Sequence, residues 1–257
     1  MIKFLSLLII SLLLGVKNSA VVAANLEEIQ KRGKLIVAVK DNVRPLGFVD
    51  ENNKLQGLEI DLARQLAQEI LGDPQAIILQ PVSNQARLQT VIDGEVDLAI
   101  ARITINDARA RLVNFSPYYY LDGTGIITNN YQIRSLSHLS RAKIAVLNVS
   151  NTIAIMRSEL PQAQLIGVNS YQEALTLLET GKVDAFAADN SILAGWAQEY
   201  PQYYQLPLRL SGEALGVVMP KGLQYASLRG RVNQAITSWK RSGWLEERAQ
   251  YWGLPWY

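Results

Sequence analysis

The chain of 257 residues has no cysteine and a single histidine, His138. Without thiols there can be no disulfide, no thiolate metal site, no thiol nucleophile and no cysteine to carry a lipid anchor. One histidine excludes a histidine-rich metal centre. Its setting, SLSHLSRAK, reads as a surface turn or short helix and gives a serine–histidine triad little support. Excess charge of one sign is missing too. Removing the first 24 residues takes away Lys3 and Lys17 and no acids, so 25 basic and 23 acidic residues become 23 of each. That balance argues against nucleic acid or an anionic membrane surface as partner. Long apolar runs are absent beyond Phe4 to Leu14.

That one run reads as an export signal. Lys3 supplies the positive start and Val22-Ala23-Ala24 a small-residue cleavage site, so residues 1–24 are expected to be removed. As a membrane anchor the run is too short, and Lys17 and Asn18 interrupt it. The mature chain, expected outside the cytoplasm, must then be stabilised by ordinary core burial, for which about 230 residues suffice.

Strands and helices alternate along the mature chain. Leu26–Arg32 is a short amphipathic helix stopped by Gly33, and Leu35–Val39 a strand. A turn at Asp50–Asn53 leads to a helix from Leu58 to Leu71 with Leu62, Leu66 and Ile70 on one stripe. Ala76–Leu79 (strand), Ala86–Ile92 (helix) and Val96–Ala101 (strand) follow. The pattern then recurs: strands at Gly125–Thr128, Lys143–Leu147, Gln164–Val168 and Val183–Ala187, and a helix opened by a capping box, Ser170 to Glu173. This spacing implies βαβ units, a largely parallel sheet and the α/β class. The end of the chain is helical and tryptophan-rich. Val232, Ile236 and Trp239 lie at helical spacing, so core packing is expected there.

The most informative stretch runs from Asp97 to Tyr120. A buried strand leads into Arg102 and Thr104, then Asn106 and Asp107 start a helical turn that carries Arg109. A helix start and a guanidinium fork suit a small carboxylate. Arg109 either holds such a ligand or pairs with a nearby acid such as Asp107. An echo lies downstream. Gly94-Glu95-Val96-Asp97 leads to Arg102 five residues after its aspartate, and Gly181-Lys182-Val183-Asp184 leads to Asp189 at the same offset. Two α/β lobes of similar build would each present a polar residue at an equivalent strand mouth, where open α/β sheets bind ligands. Polar strand ends at Lys40/Asp41, Arg102/Thr104, Asn148/Ser150 and Asp189 would line the cleft. Arg109 could take a carboxylate and Asp189 an ammonium, the two groups of an α-amino acid; alternatively, Asp189 caps the helix starting at Asn190.

The residues Gly33 to Val39, Gln56 to Ala63, Gly94 to Leu98, Thr104 to Arg109, Asn114 to Tyr119 and Gly181 to Ala185 together resemble the family 3 solute-binding proteins, periplasmic amino-acid receptors of ABC importers. The resemblance covers essentially the whole mature chain. It implies the type II periplasmic-binding-protein fold: two α/β lobes, a ligand cleft between them and two crossover hinge strands. Residues 25–124 and 215–257 would form lobe 1 and residues 125–214 lobe 2, with hinges near 122–126 and 211–216. It also implies that Arg109, with Thr104, grips the ligand α-carboxylate and that Asp189 takes the ammonium. Ser150 is the best match to a hydroxyl-rich helix start in lobe 2. Aromatic clamps of many relatives are replaced by Val43 and Asn84. Lys40, Asn84, Arg87 and the extra cation Arg102 look most like a glutamate/aspartate receptor, and Asp41 completes the candidate set. The expected activity is capture without catalysis, metal or cofactor, by a periplasmic monomer that delivers a free amino acid to an inner-membrane permease. The rivals are a dehydratase-like enzyme of the same fold and a receptor for a membrane kinase. The first would need a cleft carboxyl with a shifted pKa, and Glu59 and Asp61 look structural.

Overall fold

The computed structural model describes residues 23–148 and 150–256. The first 22 residues of the expected export signal, and Val149, lie outside them. The first run of elements comprises α1 (Leu26–Arg32), β1 (Leu35–Val39), a ribbon of β2 (Asn42–Val43), β3 (Gly47–Val49) and β4 (Leu55–Gln56), then α2 (Leu58–Leu71) and β5 (Ile77–Pro81). Next come α3 (Ala86–Ile92), β6 (Leu98–Ile100), the single turn α4 (Asp107–Ala110) and the long β7 (Asn114–Asp122). The second run is β8 (Thr124–Thr128), β9 (Lys143–Leu147), α5 (Thr152–Glu159), β10 (Gln164–Val168), α6 (Tyr171–Glu179), β11 (Ala185–Asp189), α7 (Asn190–Glu199) and β12 (Tyr204–Gln205). The chain then returns through β13 (Glu213–Met219) to α8 (Ala226–Ser242) and α9 (Trp244–Tyr251).

Among the described residues the strands build two five-stranded sheets on one plan. The order is β5-β1-β6-β13-β7 in the first and β10-β9-β11-β8-β12 in the second. In each, three parallel strands are followed by an antiparallel pair. The sheets are therefore mixed rather than largely parallel, because the two connections between them are themselves strands that run back along the sheet they enter. Continuous apolar runs become strands buried on both faces. Leu35, Val37 and Val39 of β1 join one core, while Ile36 and Ala38 join another on the opposite face. The stripe of α2 packs on the first of these cores with Trp239 of α8. Trp252 is fixed beside α2 by its indole N–H, which donates to Asp61 at 2.8 Å. The tryptophans are core and scaffold, as their spacing suggested.

The two sheets are joined at one narrow place. Gly123 separates β7 from β8, and residues 206–212 separate β12 from β13. A Cβ on Gly123 would lie 2.0 Å from the Ser211 carbonyl oxygen, so only glycine allows the crossings to touch. The Ser211 hydroxyl accepts the Thr124 N–H at 2.9 Å, and Glu213 stands opposite Asp122 in the antiparallel register.

Candidate functional site

The two aspartates of the sequence echo do the same work. The Asp97 N–H donates to the Ile36 carbonyl at 2.9 Å, and its carboxylate accepts the Ile36 N–H at 2.8 Å. Asp184 makes the same pair of bonds with Lys143, at 2.8 and 2.7 Å. Each aspartate thus pins the start of the neighbouring parallel strand. For this reason β6 begins at Leu98 and β11 at Ala185, later than the apolar runs suggest. The two strands are equivalent, so Arg102 and Asp189, each five residues beyond its aspartate, sit at matching mouths.

They meet each other. The Arg102 guanidinium in lobe 1 forms an ion pair with the Asp189 carboxylate in lobe 2, with both side chains mostly buried. Asp189 occupies the N-cap position of α7, yet its side chain caps nothing. Asp122, at the end of the crossing strand β7, takes over that task. Its carboxylate accepts the Ser191 N–H at 3.0 Å, the Ser191 hydroxyl and the Gly123 N–H. A helix start satisfied from the crossing strand frees Asp189 to face the other lobe.

Arg102 is held at φ +52°, a left-handed conformation that side chains rarely adopt. Its N–H donates at 2.6 Å to Oε1 of the fully buried Glu59, which also accepts the Tyr119 hydroxyl at 2.5 Å. Its carbonyl accepts from the Arg87 guanidinium, which also binds the Ala101 carbonyl at 2.7 Å. Burial, then the nearby guanidiniums of Arg109 and Arg102, lower the Arg87 pKa, which puts the three arginines in one electrostatic neighbourhood. The Arg109 guanidinium donates to the Thr104 carbonyl at 2.9 Å rather than pairing with Asp107. Asn106 caps α4 by accepting the Arg109 N–H. With one helical turn and one amide already satisfied, the dipole adds little, and attraction for an anion here rests on the guanidiniums.

The remaining expected site residues are not joined to the Arg102–Asp189 pair by any hydrogen bond among the described residues. The buried Lys40 ammonium donates to the Val82 carbonyl at 2.7 Å. The Asp41 carbonyl accepts the Val49 N–H, and the Ser150 hydroxyl accepts the Thr152 N–H. Asn84 is exposed. Sequence reasoning missed Tyr119, Asp122 and Glu213, which are strand residues whose partners come from distant segments. It also left the site without a perturbed carboxyl, and the structure corrects this. Burial raises the pKa of Glu59, and Glu213 is raised by burial and then by Asp122, against Arg102 and Arg109.

A carboxyl with a pKa above its unfolded value opposes folding as pH rises through that range. Glu213→Gln is therefore expected to raise Tm at about pH 7.5 by roughly 1–3 °C. The gain should vanish below about pH 4, where the carboxyl is protonated in both states; calorimetry at the two pH values checks the difference.

Among the described residues no group of histidine, cysteine, aspartate and glutamate could hold a metal ion, and no helix is long and apolar enough to cross a membrane. The family model described as bacterial extracellular solute-binding proteins, family 3, matches residues 35–255. The glutamine-binding protein of Geobacillus stearothermophilus is 34% identical over 195 residues, 75% of this chain and 74% of that protein. The ABC transporter glutamine-binding protein GlnH of Bacillus subtilis is 28% identical over 230 residues, 88% of this chain and 84% of the relative. A solved ancestral amino acid-binding protein, described as a precursor of cyclohexadienyl dehydratase, matches with TM-score 0.65 and 27% identity, covering 89% and 98% of the two chains.

Proposed function

The chain belongs to the bacterial extracellular solute-binding proteins of family 3, with the type II periplasmic-binding-protein fold, and on that premise we propose that it captures an acidic L-amino acid between its lobes for an ABC importer. The observation that carries this is the meeting of Arg102 and Asp189 across the cleft, beside Arg87 and Arg109. A cluster of three guanidiniums on one wall favours a ligand with more than one carboxylate. Arg109 takes the α-carboxylate and Asp189 the ammonium, while the surplus positive charge suits an acidic side chain. Thr104 and Ser150 supply hydroxyls at the two rims. The relatives named for glutamine binding and for an ABC transporter support an amino acid as ligand and the importer as partner. Family membership likewise supports a location outside the cytoplasm.

A ligand that bridges both lobes stabilises the closed arrangement by its differential affinity for it. A thermal-shift screen across the common amino acids, followed by calorimetry, tests the proposal. L-glutamate or L-aspartate should raise Tm at ligand concentrations well above Kd, and a screen in which no amino acid shifts Tm would overturn it.

Closure also depends on Gly195 of α7. A Cβ there would stand 2.3 Å from the Arg44 carbonyl oxygen of lobe 1. Gly195→Ala is expected to hold the lobes apart and to weaken binding about tenfold, ~1.4 kcal/mol, without loss of secondary structure. Titration calorimetry and circular dichroism read the two parts.

A catalytic alternative draws on the raised pKa of Glu213 beside Arg109 and Arg102 and on the dehydratase lineage of the solved ancestral relative. Loss of water and carbon dioxide from a prephenate-like acid during incubation would favour it; recovery of the unchanged acid would exclude it.

A further inference from the structure

The Arg102–Asp189 pair has the geometry of a bound ligand supplied by the protein itself. Asp189 keeps its carboxylate free because Asp122 caps α7 in its place. Arg102 is locked at both backbone ends, N–H to Glu59 and carbonyl to Arg87, in a conformation that glycine would hold without strain. Strain kept by such over-determined contacts marks a position whose side chain is being aimed. The Arg102 Nε is buried without a partner among the described residues, so the guanidinium is fixed by Asp189 rather than by its own lobe. The lobes also touch at the opposite end of α7, where Gln198 donates to the Trp252 carbonyl of lobe 1 at 2.7 Å.

We propose that Arg102 is a built-in occupant of the ammonium subsite, a latch that closes the empty lobes on Asp189 and that only a ligand with a second carboxylate displaces without leaving a bare guanidinium in the cleft. The proposal rests on the functional reading above and makes Arg102 the residue that sets specificity. An arriving ammonium competes with Arg102 for Asp189. With a neutral amino acid the displaced guanidinium has no counter-ion, and a mostly buried charge that loses its partner is costly. With an acidic amino acid the side-chain carboxylate receives it, so two ion pairs replace one. Discrimination therefore comes from a penalty on the wrong ligand as much as from attraction to the right one.

The test uses purified protein, L-glutamate and L-glutamine as probes, and the Arg102→Gly variant, which relieves the backbone strain and should fold. The wild type should prefer glutamate. Arg102→Gly should reduce the glutamate-to-glutamine affinity ratio at least tenfold, chiefly by tighter glutamine binding. Small-angle scattering without ligand should show a larger radius of gyration for Arg102→Gly and for Asp189→Asn than for the wild type. An unchanged ratio overturns the specificity role, and scattering curves identical to the wild type overturn the latch even where glutamate binds. A wild type that binds no amino acid removes the functional reading and the selectivity with it, while the scattering still decides whether the lobes are latched.

Discussion

Arg109→Ala is expected to lower the affinity for an acidic amino acid by roughly 30- to 5,000-fold, the consequence of losing one partner of a buried charge pair worth about 2–5 kcal/mol. A micromolar ligand supplies about 8 kcal/mol in all, so such a loss leaves a Kd between tens of micromolar and the millimolar range. The fold should survive. Among the described residues the guanidinium makes one hydrogen bond, to the Thr104 carbonyl, on a half-exposed turn, and a net contribution of about 1 kcal/mol is all that bond gives to stability. The readout is therefore a split one: a Kd raised at least about 30-fold in titration calorimetry, with Tm within about 3 °C of the wild type. Arg109→Lys should recover part of the affinity, since the charge remains while the fork that matches both carboxylate oxygens is gone. Unchanged affinity in Arg109→Ala would remove the carboxylate assignment.

What could be read from the chain was local in origin. The apolar run Leu35–Val39, the stripe of α2 and the glycine stop of α1 at Gly33, which closes the helix at φ +69°, all depend on neighbours within a few residues. The repeated glycine–x–valine–aspartate also read correctly, because each aspartate satisfies the start of an adjacent strand and so leaves the same trace in both lobes. The antiparallel strands β7 and β13 were not legible. They pair with each other about a hundred residues apart, Glu213 with Asp122 and Met219 with Asn114, and neither needs a periodicity of its own to be held there. The capping box at Ser170 was half right: the Ser170 hydroxyl accepts the Glu173 N–H, but the Glu173 carboxylate reaches Asn169 instead.

The site divides along the same line. Asp189 and Arg102 were visible as polar residues at equivalent strand ends. Their pairing was not, since it depends on Asp122 capping α7 from 69 residues away and on a left-handed arginine that no local pattern announces. Glu59 shows the limit from the other side. It lies inside a motif read as helical and structural, and it is structural, but the backbone it supports is that of Arg102.

Glu59→Ala is for that reason expected to cause the largest loss of stability of any single change near the cleft. Oε1 accepts from both the Arg102 N–H and the Tyr119 hydroxyl, and the side chain is fully buried. Truncation leaves two donors without a partner and opens a cavity, a loss of about 3–5 kcal/mol, or roughly 8–15 °C in Tm. Glu59→Gln should behave differently. Burial already favours the uncharged carboxyl, and an amide oxygen can accept both donors. The amide variant is therefore expected to lose about 1–3 kcal/mol, because its amide nitrogen takes the place of Oε2, which is buried without a partner among the described residues, and to lose less stability as pH rises from about 5 to 8. The sign follows from linkage: a carboxyl whose folded pKa is raised binds its proton more tightly when folded, so ionising it at higher pH acts against folding. Urea denaturation of the three proteins at both pH values would decide the matter. A Glu59→Gln variant as unstable as Glu59→Ala would mean that the negative charge, rather than the hydrogen bonds, holds the Arg102 loop, and the loop's strained backbone would then have to be stabilised by Coulomb attraction to Arg102 and Arg87.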